Sequence, residues 1–129
     1  MTPVLILPWP PSVNRMYRVF RGRSIISREG RDYRERVVAM VKAQEAPLIA
    51  CRCAVDVLAY PPDRRRRDLD NVCKALLDGL VHGGALADDS LIDLLSIRRM
   101  GRKPGGEVWV RITELVTDER EFPSTEDER

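Results

Sequence analysis

The 129-residue chain has one histidine and three cysteines, and that scarcity removes several classes of function at once. Cys51 and Cys53 form a C-x-C pair, Cys73 stands apart, and His82 is the lone imidazole. Neither count nor spacing makes a zinc site, which needs four sulfur or nitrogen ligands. The cysteines read as small apolar side chains. An odd number of them without a secretion signal points to a reducing compartment, and so to the cytoplasm. No apolar run approaches the length of a membrane span. The opening MTPVLILPWPP has no basic residue ahead of its short apolar stretch and is closed by prolines. It is not expected to act as a signal peptide.

What the chain does have is charge, unevenly placed. The net charge is +2, but the segment from Val116 onward carries six acids against two bases and is net −4, which leaves +6 for the rest. Most of the cations are arginines, whose planar fork suits phosphate oxygens. A moderately basic body fits a nucleic-acid partner. The length predicts one domain over residues 1–115, with a polar, acidic tail over 116–129 whose composition predicts disorder.

Periodicity gives an α+β fold in the order β-α-β-α-β-β. Pro3–Leu7 reads as a strand ended by Pro8, Pro10 and Pro11. Ser12–Arg28 has no clean period and reads as a loop with some extended structure. A helix is expected from Ser27 to Gln44, with Tyr33, Val37, Met40 and Val41 on one face. Cys51–Tyr60 alternates as a strand, stopped by Pro61 and Pro62. Leu69, Val72, Cys73, Leu76, Leu77 and Leu80 fall at helical spacing before Gly83 and Gly84. Leu91–Arg99 and Glu107–Leu115 read as strands, and GRKPGG between them predicts a hairpin. A single mixed sheet of about four strands with two helices follows.

The chemistry concentrates in PPDRRRRDLDNVCK, Pro61 to Lys74. Asp68 is placed to cap the helix, Asp70 falls in its first turn, and Lys74 lies one turn further on the same flank. The plain alternatives are a capped helix, an arginine run that is only a solvated face, and a simple Asp70–Lys74 ion pair. Two features favour a site. Two acids and Asn71 stand where one acid would cap, and Asp88 and Asp89 follow just after the helix. If the next strand neighbours the helix N-terminus, three carboxylates converge. At 4 Å two such charges cost about 4 kcal/mol at an effective dielectric near 20, which a cation relieves. Oxygen-only ligands favour Mg²⁺, or Mn²⁺ in its place, and such an ion suits phosphodiester hydrolysis. Arg64, Arg65, Arg66 and Arg67, with Arg15, Arg18, Arg21, Arg23 and Arg28, can hold the substrate's phosphates. Tyr17 and Phe20 among them can stack on exposed bases or pack the loop.

At these residues the sequence resembles the RusA family of Holliday junction resolvases, small endonucleases of bacteria and their phages. The resemblance runs through LPWPPSVNRMYR (Leu7–Arg18), SREGRDYR (Ser27–Arg34), PDRRRRDLDNVCKALLDGL (Pro62–Leu80) and LADDSLID (Leu86–Asp93), up to about Leu115. It implies catalytic roles for Asp68, Asp70, Asp89 and Lys74, with Asp88 a lesser metal candidate. It also implies that Asn14 and Asn71 order the metal shell or contact phosphate. The expected activity is Mg²⁺-dependent, symmetric cleavage of two opposed strands of a four-way DNA junction by a homodimer. A two-fold protein axis would match that of the junction. The alternatives are a branched-DNA binder that does not cut, and a nuclease acting on RNA or flaps.

Overall fold

A computed structural model of the chain describes residues 3–115; the acidic tail expected over 116–129 lies outside the described residues. The elements are β1 (Leu5–Pro8), α1 (Val13–Met16), β2 (Tyr17–Phe20), β3 (Arg23–Ile26), α2 (Arg28–Ala43), β4 (Cys53–Tyr60), α3 (Leu69–His82), β5 (Ile92–Arg99) and β6 (Glu107–Glu114). The two long helices fall where the apolar spacing predicts them. Ser27 caps α2, its hydroxyl accepting from the Gly30 N–H at 2.9 Å.

The main sheet has the order β1-β6-β4-β5. β4 runs parallel to β5 and antiparallel to β6, while β1 pairs antiparallel with β6. The parallel pair follows from α3, which carries the chain back along β4 before β5 begins. The expected hairpin of the last two strands is not formed, because β4 lies between them. The GRKPGG segment does turn, but it crosses the end of β4. The Met100 N–H donates to the Ala59 carbonyl at 2.8 Å and the Lys103 N–H to that of Pro61 at 2.9 Å. Side-chain chemistry explains the order. β6 buries Val108 and Val110 and suits the interior, whereas β5 carries exposed Leu94, Leu95, Ser96, Arg98 and Arg99 and suits an edge.

The two sheet edges differ. At β1 the side chain of Gln44 acts like a neighbouring strand: it accepts from the Ile6 N–H at 2.9 Å and donates to the Ile6 carbonyl at 2.7 Å. The edge of β5 has no such cover among the described residues.

The core lies between one face of the sheet and α2 and α3. Val55, Val57, Val108 and Val110 meet Tyr33, Val37, Leu76 and Leu80 there, all of them buried. Gly79 lets the helices close. A Cβ at that position would stand 2.9 Å from the Tyr33 ring and 3.3 Å from a Val37 methyl. Ser12–Arg28, expected as a loop with extended pieces, is instead the one-turn α1 followed by a separate β2–β3 ribbon.

Candidate nuclease site

The start of α3 presents Asp68 and Asp70 to solvent. Asp68 occupies the N-cap position with extended backbone (φ −90°, ψ 138°), but its side chain makes no capping hydrogen bond. The expected cap is therefore one of position only. Among the described residues, no hydrogen bond or ion pair engages the side chain of Asp68 or Asp70, and Lys74 is not paired with Asp70. The helix dipole gives both carboxylates some stabilisation at this end.

The arginine run ahead of them is divided. The Arg67 guanidinium donates to Asp63 Oδ1 at 2.7 Å and lies over the Trp9 ring, 5.7 Å from its centre. The Arg65 N–H donates to the same oxygen at 2.9 Å. Arg67, then Arg65, hold the Asp63 carboxyl well below the usual carboxylate range. Arg99 of β5 donates to the Arg67 carbonyl at 2.6 Å and fixes the segment from the other side. Arg64 and Arg66 point outward and are exposed. An open cleft of about 470 Å³ joins Arg65, Arg66 and Arg67 to Arg15 and Arg36 along a wall of Trp9, Pro10 and Pro11. Arginines far apart in sequence thus share one surface. Arg99 and Arg102 stand beside Arg64–Arg67 in an adjoining hollow. Neither Arg36, Arg99, Arg102 nor the Trp9 wall stands out in the sequence, because each lies far along the chain from the aspartates.

Asn14 and Arg15 sit exposed on α1, with Arg15 3.7 Å from Glu29. Asn71 serves the fold itself, since its side-chain oxygen accepts from the Val13 N–H at 2.7 Å and ties α1 to α3. Arg18, Arg21 and Arg23 lie on the β2–β3 ribbon.

Asp88 and Asp89 lead into β5. Asp88 is taken up locally: the Ser90 hydroxyl donates to it at 2.8 Å and the Ser90 N–H at 3.3 Å, and these bonds lower its pKa. Asp89 opens a 3-10 turn, Asp89–Leu91, and lines an open cleft of about 290 Å³ with Lys74, Tyr17, Arg34, Asp78 and His82. Behind this cleft stands a side-chain network that no sequence motif marks. Arg34 donates twice to Asp78, Nε to Oδ1 at 2.8 Å and Nη2 to Oδ2 at 2.9 Å. The Tyr17 hydroxyl donates to Asp78 Oδ2 at 2.8 Å. Burial and the bond to Asp78 push the Tyr17 phenol up to about 12. Burial opposes ionisation of Asp78, but Arg34 and Tyr17 outweigh it and hold its carboxyl below the ordinary value.

The expected convergence of three carboxylates is not met within one chain. β5 starts opposite the start of β4, while α3 starts where β4 ends. A parallel crossover thus sets Asp89 toward the far end of α3 from Asp68 and Asp70. Among the described residues, no three His, Cys, Asp or Glu side chains are grouped closely enough to hold a metal ion. The donors still suit a hard cation, since all are oxygens and Mg²⁺ commonly keeps several waters and takes one or two carboxylates.

Comparison with known proteins places the chain in a family. The family profile described as endodeoxyribonuclease RusA matches residues 8–113. The chain belongs to the RusA family. Proteins named crossover junction endodeoxyribonuclease RusA are similar to it along most of their length. That of Enterobacteria phage HK97 is 39% identical over 111 residues, covering 85% of this chain and 92% of its own. That of Shigella sonnei (strain Ss046) is 40% identical over 112 residues, covering 86% and 93%. That of Escherichia coli (strain K12) is 39% identical over 112 residues, covering 86% and 93%. The RusA match takes in α1, the ribbon, the arginine run, α3 and the Asp88–Asp89 turn together. Membership makes the chain a DNA-cleaving hydrolase by family.

Proposed function

We propose that this protein is a Mg²⁺-dependent endonuclease that resolves four-way DNA junctions by paired cuts, acting as a homodimer. The observation that carries the reading is the pair Asp68 and Asp70. These are exposed carboxylates without hydrogen-bond or ion-pair partners among the described residues, in a chain of the RusA family, and Asp68 shares an open pocket with Arg66 and Arg67. A protein that only bound DNA would gain nothing from two unpaired negative charges at its phosphate-facing surface. Mg²⁺, or Mn²⁺ in its place, would be held by Asp68 and Asp70, with Asp89 the next candidate; Asp88 ranks last because Ser90 already occupies it. When bound, such an ion polarises a phosphoryl oxygen and lowers the pKa of a coordinated water. Lys74, one turn beyond Asp70 on α3 and lining a cleft with Asp89, is placed to stabilise charge on the scissile phosphate. Arg64, Arg66 and Arg15 hold flanking phosphates and carry no base information.

A homodimer accounts for two features. Two opposed strands require two active sites related by a two-fold axis. The edge of β5, uncovered among the described residues and with Leu94 53% and Leu95 43% exposed, offers a surface for a second copy.

The test is a labelled four-way junction incubated with and without Mg²⁺, beside duplex and RNA controls, using the wild-type chain and Asp70→Asn. Paired nicks that need metal and disappear in the variant, with binding retained, are expected. Binding without nicks under Mg²⁺ or Mn²⁺ would sink the enzyme reading, and equal cutting of plain duplex would sink the junction reading.

A further inference from the structure

The β2–β3 ribbon belongs to neither layer of the fold. It pairs only with itself, Tyr17 to Ile26 through Phe20 to Arg23, and every residue from Arg18 to Ser24 is exposed. Its turn is tight. Arg21 (φ 52°) and Gly22 (φ 75°) both take the left-handed backbone of a two-residue hairpin turn, which stiffens the tip. Its base is fastened. The Tyr17 hydroxyl is held by Asp78, and the Ser27 N–H donates to the Met16 carbonyl at 2.9 Å. The ribbon is therefore a short, firmly rooted projection.

Its tip combines two properties that rarely occur together on a free surface. Val19 is 76% exposed and Phe20 51%, with no part of the described chain covering them. Around them all the charge is positive: Arg18, Arg21, Arg23 and Arg28, with no acid between Tyr17 and Arg28. Strand alternation puts Phe20 on one face with Arg18, and with Arg23 directly opposite. The Arg18 and Arg21 guanidinium carbons lie 6.0 and 5.3 Å from the Phe20 ring centre. A protein pocket able to take the phenyl ring would also have to neutralise three guanidinium groups. A nucleic acid satisfies both demands, because its bases stack on an aromatic ring while the phosphates on either side accept the arginines.

We propose that this ribbon is a wedge that enters the base stack of DNA where the stack is already broken. Phe20 stacks on the exposed base pair at a branch point, and Arg18, Arg21 and Arg23 hold the phosphates that flank it. Parting stacked bases costs a few kcal/mol per step in intact duplex and less where the helix is interrupted. A wedge therefore favours branched over continuous DNA, which phosphate contacts alone cannot do. The base of the ribbon supplies Tyr17 to the same cleft as Lys74 and Asp89. Four residues of strand span about 13 Å, so a wedged tip would hold the branch within a few nucleotides of that cleft. The proposal rests on the junction reading above and assigns to Phe20 the choice of substrate, not the chemistry.

The test uses the full chain carrying Asp70→Asn, with and without Phe20→Ala or Phe20→Trp, and four-way and duplex DNA of matched sequence. Stacking is worth about 1–3 kcal/mol per base, so Phe20→Ala should weaken junction binding by roughly five- to 150-fold and leave duplex binding and the salt slope unchanged. Phe20→Trp should restore it. Thymines at the branch should gain permanganate reactivity on binding, and lose that gain with Phe20→Ala. Arg18→Gln with Arg21→Gln should instead flatten the salt dependence on both DNAs. Unchanged thymine reactivity, an equal loss on duplex, or a change of oligomeric mass with Phe20→Ala (which would make the tip a contact between copies) overturns the wedge. Failure of the chain without these substitutions to cut the junction overturns the junction reading instead, so the two failures are told apart.

Discussion

Asp70 and Asp78 stand on the same helix in opposite surroundings. Asp78 is half-buried, receives two bonds from Arg34 and one from Tyr17, and joins α2, α3 and the base of the ribbon. Asp70 is exposed and receives nothing. A carboxylate kept for stability is saturated with donors, because a partly buried charge left unpaired is costly. A carboxylate kept for chemistry must have its lone pairs open. Both read as Asp on an amphipathic helix; their surroundings distinguish them.

Substitution at each residue puts this contrast at risk. The largest expected effect is on activity: Asp70→Asn should lower junction cleavage at least 100-fold while changing unfolding free energy by less than about 0.5 kcal/mol, read by gel assay and urea denaturation. A stability loss above about 2 kcal/mol would place Asp70 with the structural group. Asp78→Asn should do the reverse on stability, costing about 2 kcal/mol by leaving Arg34 without its charged partner. Tyr17→Phe, which removes one donor, should cost about 1 kcal/mol by the same denaturation.

The smallest effect lies in the pH dependence of stability. Asp78 has a folded pKa below its unfolded value, so its contribution is present above about pH 4 and is lost as pH falls through the folded value. Tyr17, raised to about 12, contributes fully below its unfolded pKa near 10, and that contribution is lost as pH rises through the folded value. The stability gap between the unsubstituted chain and Asp78→Asn should therefore close at the acid end. The gap to Tyr17→Phe should close at the alkaline end. Parallel curves across the whole range would mean that the network contributes packing and not charge.

The sequence carried local features well and distant ones poorly. Tyr33, Val37 and Val41 mark α2, and Val72, Leu76 and Leu80 mark α3, because a buried helix face repeats every three or four residues. The turn in GRKPGG was legible, but not its partners, since glycine and proline report where a chain bends and not which strand it then meets. β2 and β3 were hidden because each has only four residues, too few for alternation to show against a run of arginines. At the site, the aspartates and Lys74 could be named from spacing, but their convergence depended on which end of α3 the next strand begins, which is a matter of topology. The Arg34–Asp78 bond spans 44 positions and the Tyr17–Asp78 bond 61, and nothing local marks either.

The amide of Gln44 has a consequence for how copies can add to one another. Because it occupies the backbone groups of Ile6, one border of the sheet is sealed, while the border at β5 is left open among the described residues. A sheet with two open borders can grow without limit, each copy templating the next. With a single open border, two copies that join there exhaust the available valence, and growth stops at a pair. In a pair joined at β5, a glutamine at the end of α2 would thereby act as a chain terminator.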